Sequence, residues 1–434
     1  MRSCSEPNYR PTILVFAMLT TARPLQLDYV RAQFPALAGE WVFFDNAGGS
    51  QTLKRVADRI SDYLLTTNVQ LGASYDVSQQ STARVAEAAQ AAAMLINAAD
   101  PSEVVMGGST TLLLRILSLC LGQTFCPGDE IIVTNCDHES NIGCWLDWRK
   151  QGIIVKFWNL NPETLQLDLD TLAQLMTPRT RLVALTHVSN ILGTINPIRQ
   201  IADLVHERGA MICVDGVAYA PHRRVDVQAL DVDFYVFSFY KVYGPHYALM
   251  YGKREHLLTM PGINHYFIGQ ETIPYKFQPG NVNFELSYGA AGIVDYLSDL
   301  AVQHGSDRPA SDLSGRLSEA FDRIAEHEEQ LSNRLLSYLH SQPRVKLWGD
   351  PTADRDRRVP TIAFTVGQLN SATIPPQIDQ HHIGIRYGDF YARRLIEDLD
   401  LAQQNGVVRV SMVHYNTLEE CDRLIAALDP IIGS

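Results

Sequence analysis

Between about residues 95 and 255, short apolar runs rich in β-branched side chains alternate with longer stretches whose apolar positions recur at helical spacing. Such alternation predicts βαβ units and a mostly parallel sheet covered on both faces. The clearest strands are at 103–106, Glu130–Thr134, 153–157, 181–186, Met211–Asp215 and 233–238, and polar or glycine-containing turns follow them. Helical spacing fits Leu169–Leu175 and Ile198–Glu207, and a long amphipathic helix fits 316–342, where the turn at Pro343 ends it. Gly, Ser, Asp and Pro cluster at 303–313 and mark a linker. The expected organisation is an N-terminal extension with the start of a small domain over 1–35, a large domain over 36–303, and a smaller C-terminal αβ domain over 304–434.

With 434 residues, 46% of them hydrophobic, the chain buries a sizeable core. Its 36 basic against 48 acidic side chains, a formal net charge of -12, offer no polybasic footprint for nucleic acid or an anionic membrane surface. A small-molecule partner fits better. The cysteines Cys4, Cys120, Cys126, Cys136, Cys144, Cys213 and Cys421 contain no CxxC pair, so they read as reduced thiols and no metal is expected. An apolar run from Thr12 to Leu19 behind Arg2 and Arg10 looks like a signal peptide, but it is short and Glu6 precedes it. A start at Met18 explains it equally, and a cytoplasmic protein is the expectation.

The candidate chemistry sits at strand ends, where an open α/β sheet presents its ligands. Gly108-Ser109-Thr110-Thr111 joins a strand to a helix start, which offers amides and hydroxyls to a phosphate. His138 and Asn190 follow two further strands, Asp215 closes another, and Lys241 follows the last, among Phe239 and Tyr240. Each has an ordinary alternative when taken alone: a helix cap, turn residues, a turn-capping carboxylate, a solvent-reaching lysine. In this order they supply what pyridoxal phosphate (PLP) requires. That is donors for the phosphate, a flat ring to stack, a carboxylate for the ring nitrogen and an amine for the aldehyde.

Together with 233–245 (Asp-Phe-Tyr-Val-Phe-Ser-Phe-Tyr-Lys-Val-Tyr-Gly-Pro), His187-Val188-Ser189-Asn190 and Val214-Asp215-Gly216, these residues resemble the class V aminotransferase-fold enzymes of the cysteine desulfurase and selenocysteine lyase group. The likeness runs from Phe44-Asp45-Asn46-Ala47 to Tyr415-Asn416-Thr417. It implies a PLP-dependent α/β enzyme of fold type I, with a seven-stranded mostly parallel sheet, and a homodimer with its sites at the interface. Ser109, Thr110, Ser238 and Tyr240 would hold the phosphate, His138 would stack on the ring, and Asn190 would touch its phenolic oxygen. Asp215 would pair with the ring nitrogen, and Lys241 would carry the cofactor as a Schiff base and shuttle protons. Arg409 would grip the substrate carboxylate, for which a surface arginine beside a strand is the alternative, and Arg386 and Asn46 would join it on the substrate side.

The chain departs from that family on the substrate side. The loop expected as Arg-x-Gly-x-x-Cys-Ala reads Arg386-Tyr387-Gly388-Asp389-Phe390-Tyr391-Ala392, and a phenol is a poor sulfur acceptor where a thiol is a good one. Ala218 replaces a Gln or His, and Tyr240 a His. Gly280-Asn281-Val282-Asn283 replaces Gly-Thr-x-Asn, leaving Asn281 for a cross-subunit phosphate contact, and Gln70 and Leu71 stand where His and Arg are frequent. The resemblance therefore implies a desulfurase-like lyase acting on a small amino acid, in which the cofactor alone expels the leaving group. A transaminase, epimerase or decarboxylase on the same scaffold is the alternative, and a non-catalytic protein keeping the fold is a second.

Overall fold

The computed structural model describes residues 24–433, so Cys4, the run from Thr12 to Leu19 and the choice between Met1 and Met18 lie outside the described residues. At its centre is a seven-stranded sheet. Its strands, in chain order, are β1 (Val104–Gly107), β2 (Glu130–Thr134), β3 (Ile154–Trp158), β4 (Thr180–Thr186), β5 (Met211–Asp215), β6 (Phe234–Ser238) and β7 (Ala248–Gly252). They lie in the order β1-β7-β6-β5-β4-β2-β3. Only β7 runs against its neighbours. The strand β7 reads Ala-Leu-Met-Tyr-Gly and contains no β-branched residue, which is why the sequence pattern does not single it out.

Alternate side chains of the central strands enter two different cores. Val183, Leu185, Ile212, Val214, Tyr235 and Phe237 pack on one face. Leu182, Ala184, Cys213, Phe234 and Val236 pack on the other. Each buried aliphatic contributes roughly 1.5–3 kcal/mol, so a sheet apolar on both faces is held only where helices cover both. The helix Thr110–Leu121 covers the second face with Leu113, Leu114 and Leu117, while Ile198–Glu207 covers the first with Ile198, Ile201 and Val205.

After the helix Phe284–Gln303, the helix Leu313–His340 begins three residues before the spacing predicts. The reason is local: the Asp312 carboxylate accepts the Gly315 N–H at 3.0 Å and caps the helix there. An antiparallel four-stranded sheet follows, in the order Arg386–Gly388, Val407–Ser411, Thr361–Val366, Val345–Trp348. The chain's early segment joins this part, since Val42–Phe43 pairs with Ile383–Gly384 and Asp45 bridges to Ser411.

Because six of the seven large-sheet strands run the same way, their carboxyl ends share one edge. Gly107, Thr134, Thr186, Asp215 and Ser238 all emerge there.

Candidate active site

A cavity opens at that edge, and Ser109, Thr110, His138, Asn190, Asp215, Ser238, Tyr240 and Lys241 all line it. Eight residues scattered over more than a hundred positions of sequence are thus brought to one wall by strand ends alone. Ser109 caps the helix Thr110–Leu121, its Oγ accepting the Leu112 N–H at 3.1 Å. The amides of Thr110 and Thr111 meet no acceptor among the described residues. Thr110 Oγ1 and Ser238 Oγ hydrogen-bond at 2.7 Å, tying the helix start to the end of β6.

Lys241 is 8% exposed, at the end of the short 3-10 turn Phe239–Lys241. No hydrogen bond reaches its Nζ among the described residues. Burial, with the Arg409 charge nearby, lowers its pKa to about 8, against the opposing pull of Asp215 and Asp45. Asp215 is buried too, and its Oδ1 accepts the Val217 N–H at 2.9 Å. Burial raises its pKa to about 6, outweighing that hydrogen bond and the Lys241 charge. The His138 Nδ1 lies 2.8 Å from Ser140 Oγ. Burial and Lys241 together lower its pKa to about 4, so the ring is neutral at physiological pH.

Arg409 is 2% exposed, behind the cavity lining but near enough for its charge to act on Lys241. Its Nη1 donates to the Asn190 carbonyl and its Nη2 to Asp45 Oδ1, both at 3.0 Å, and its Nε has no partner. Burial lowers its pKa to about 10, which leaves it charged. Asp45 also pairs with Arg386 Nε at 2.8 Å, and most of the Arg386 side chain is exposed. The Asn190 Nδ2 donates to the Phe390 carbonyl at 2.8 Å, and its Oδ1 is buried without a partner.

Four expected residues are absent from the cavity lining: Arg386 and Arg409, which meet at Asp45, and Asn46 and Asn281. Asn46 spends its amide inside the chain: Nδ2 donates to the carbonyls of Phe43 and Ser411 at 2.9 Å each and to Asn416 Oδ1 at 3.1 Å, and Oδ1 accepts from the Tyr415 hydroxyl. Asn281 is exposed, on a left-handed backbone with φ of 72°, away from the cavity lining. Conversely, Ser140, Thr186, Val188 and Val217 line the cavity without having been singled out for it.

Asp137 was also missed. Its carboxylate accepts from Thr134 Oγ1, from Asn141 Nδ2 at 2.7 Å and from the Thr186 N–H at 3.0 Å. Burial and the charge of Asp215 raise its pKa to about 7. The signal was present in the sequence, because Asp137 follows the strand Glu130–Thr134 with its apolar centre Ile131-Ile132-Val133, much as Asp215 ends the apolar strand Met211–Asp215.

The family model for class V aminotransferases matches residues 42–424. This chain belongs to the class V aminotransferase family. The class V chain is 44% identical over 416 residues to the aminotransferase-like protein FGM3 of Gibberella zeae, covering 94% of this chain and 98% of that protein. It is 36% identical to the cysteine desulfurase-like protein ustD of Aspergillus flavus, covering 94% and 91%. The crystal structure of the Escherichia coli cysteine desulfurase CsdA superposes with a TM-score of 0.80 at 26% identity, over 95% of this chain and 99% of that one. Family and structural neighbours together make this class V aminotransferase a PLP-dependent enzyme with the fold type I architecture. Among the described residues, no helix is long and apolar enough to cross a membrane.

Proposed function

We propose that this enzyme is a cysteine desulfurase-like lyase that removes sulfur, or a related β-substituent, from a small amino acid without a protein thiol as acceptor. The observation that carries the reading is the pairing of two buried groups in one cavity. Asp215 has Oδ2 free of hydrogen bonds, and Lys241 has an amine free of them. They fit opposite ends of a pyridine-aldehyde. The free amides of Thr110 and Thr111 support the same fit at the phosphate.

When bound, PLP supplies an electron sink at the substrate α-carbon. Lys241, with a pKa near 8, is suited both to take the α-proton and to return it near neutral pH. His138 would cover one face of the ring as a neutral imidazole, and Ser109, Thr110, Ser238 and Tyr240 would hold the phosphate. Arg409 presents Nε and the second Nη2 hydrogen as a fork for the substrate carboxylate. Arg386 reaches that side only through Asp45. In this reading residues 36–303 carry the cofactor, and 304–434 with the first segment close the substrate side. A second copy of the chain would complete the phosphate end through Asn281. A cytoplasmic location fits the free thiols.

Five of the six described cysteines are buried, and burial holds their thiols protonated: Cys120 is pushed up to about 11, Cys136, Cys144 and Cys421 to about 12, and Cys213 well above the ordinary range. With Tyr391 in the loop, sulfur leaves to solvent. Desulfurase-like relatives support this over transamination, epimerisation, decarboxylation or a non-catalytic role. With L-cysteine and one water, the elimination yields hydrogen sulfide, pyruvate and ammonia. The test incubates holoenzyme, before and after alkylation of accessible thiols such as Cys126, with L-cysteine. Unchanged release of sulfide with equal pyruvate supports the reading, as does its loss, with the absorbance near ~420 nm, in Lys241→Ala. Release of alanine, dependence on an accessible thiol, or dependence on an amino acceptor contradicts it.

A further inference from the structure

Phe390 and Tyr391 are consecutive non-glycine residues in the left-handed region, with φ of 50° and 61°. Such a backbone persists only where its surroundings impose it, and here they do. The Glu139 N–H donates to the Tyr391 carbonyl at 2.8 Å, and Asn190 Nδ2 donates to the Phe390 carbonyl at 2.8 Å. Arg394 grips the Glu139 carboxylate with Nε and Nη2, both at 2.9 Å. The helix Arg393–Asp398 that follows is tied down again, by Asn135 Nδ2 to Asp398 Oδ2 at 2.6 Å. The turn is therefore bolted across the carboxyl edge of the large sheet before any substrate arrives.

What the turn touches is the substrate side of the site. The guanidinium carbon of Arg409 lies 3.7 Å from the centre of the Phe390 ring, and the Tyr391 ring sits 5.3 Å from that of His138. One face of the guanidinium is thus covered by Phe390. One hydrogen of Nη1 goes to the Asn190 carbonyl and one of Nη2 to Asp45. Three of the five N–H donors remain, one on Nε and one on each Nη, on a guanidinium held in one orientation. Pre-orienting a fork lowers the entropy lost when a carboxylate docks, so the covering ring acts on affinity without touching substrate.

We propose that the Phe390–Tyr391 turn, locked by the Glu139–Arg394 pair, is a specificity-determining wall in which Phe390 is the positioning residue that fixes Arg409 for the α-carboxylate of the substrate. The inference rests on the reading of Arg409 as the carboxylate anchor. It selects amino acids over amines of the same size, and it does so through one cation–π contact and one half-buried ion pair.

The experiment uses PLP-loaded wild type, Phe390→Leu and Arg394→Gln, and titrates each with L-alanine and with ethylamine, reading the cofactor absorbance. L-Alanine is expected to bind about tenfold more weakly to both variants while ethylamine binding is unchanged. In Arg394→Gln, amide hydrogen exchange over 386–392 is expected to quicken, with PLP affinity unaltered. L-Alanine binding within about twofold of wild type in Phe390→Leu, or an equal loss for ethylamine, overturns the proposal. Failure of the wild type to take up PLP overturns the functional reading and this inference together, whereas uptake with unaltered L-alanine binding overturns the turn's role alone.

Discussion

Lys241 gives the sharpest quantitative expectation, because three charged side chains set its basicity with different signs. An amine that falls from 10.5 to about 8 is about one part in ten neutral at pH 7. At 10.5 the neutral fraction is about one in three thousand, so burial makes the free nucleophile roughly three hundred times more abundant. The largest cause is loss of solvent, followed by repulsion from Arg409, with Asp215 and Asp45 acting against both. Arg409→Gln should therefore move the pKa up, and Asp215→Asn should move it down. Competitive labelling of the apoprotein with trace acetic anhydride from pH 6 to 11, read on the Lys241 peptide by mass spectrometry, measures it directly. A midpoint near 10, or shifts of the opposite sign in the two variants, refutes the reasoning. The same burial carries a stability cost of about 3 kcal/mol at pH values below about 8. Since the folded-state pKa is the lower one, that cost shrinks as pH rises from about 8 to 10.5.

Two further expectations separate binding from scaffolding. Thr110→Val removes one donor from the phosphate end and should weaken PLP about ten- to a hundredfold while leaving pyridoxal, which lacks the phosphate, unaffected in equilibrium dialysis. Asn46→Ala breaks four internal hydrogen bonds that join Phe43, Ser411, Tyr415 and Asn416. On the order of 3 kcal/mol of stability should be lost in denaturant unfolding with L-alanine affinity unchanged; the reverse pattern would restore Asn46 to the substrate side.

Much of the fold was legible because β-branched runs and helical spacing are local properties. The strands Glu130–Thr134 and Met211–Asp215 and the helices Leu169–Leu175 and Ile198–Glu207 have the bounds that the pattern predicts. β7 escaped because its burial comes from neighbours on both sides, Val104–Gly107 and Phe234–Ser238, and not from its own composition. That eight of the expected residues share one cavity was legible for a related reason. Each follows its own strand, and parallel strands deliver their ends to one edge, so chain order translates into a shared cavity. The surroundings of Arg409 were not, since they depend on contacts between distant parts of the chain. Asp45 pairs with Arg409 and Arg386, Glu139 with Arg394, and Phe390 with Arg409, and none of these pairings has a local signature. Asn46 shows the converse: it lies beside Asp45 in the sequence, yet its side chain turns inward to hold the backbone of two distant segments.

The central claim is that Lys241 is the amine that carries the cofactor. Borohydride reduction of the PLP-loaded protein, followed by proteolysis and mass spectrometry, reads this without reference to any substrate. The account predicts one phosphopyridoxyl group per chain, on the peptide containing Lys241, and its absence in Lys241→Ala. A stoichiometric label on any other lysine, or no retained label at all, would contradict it.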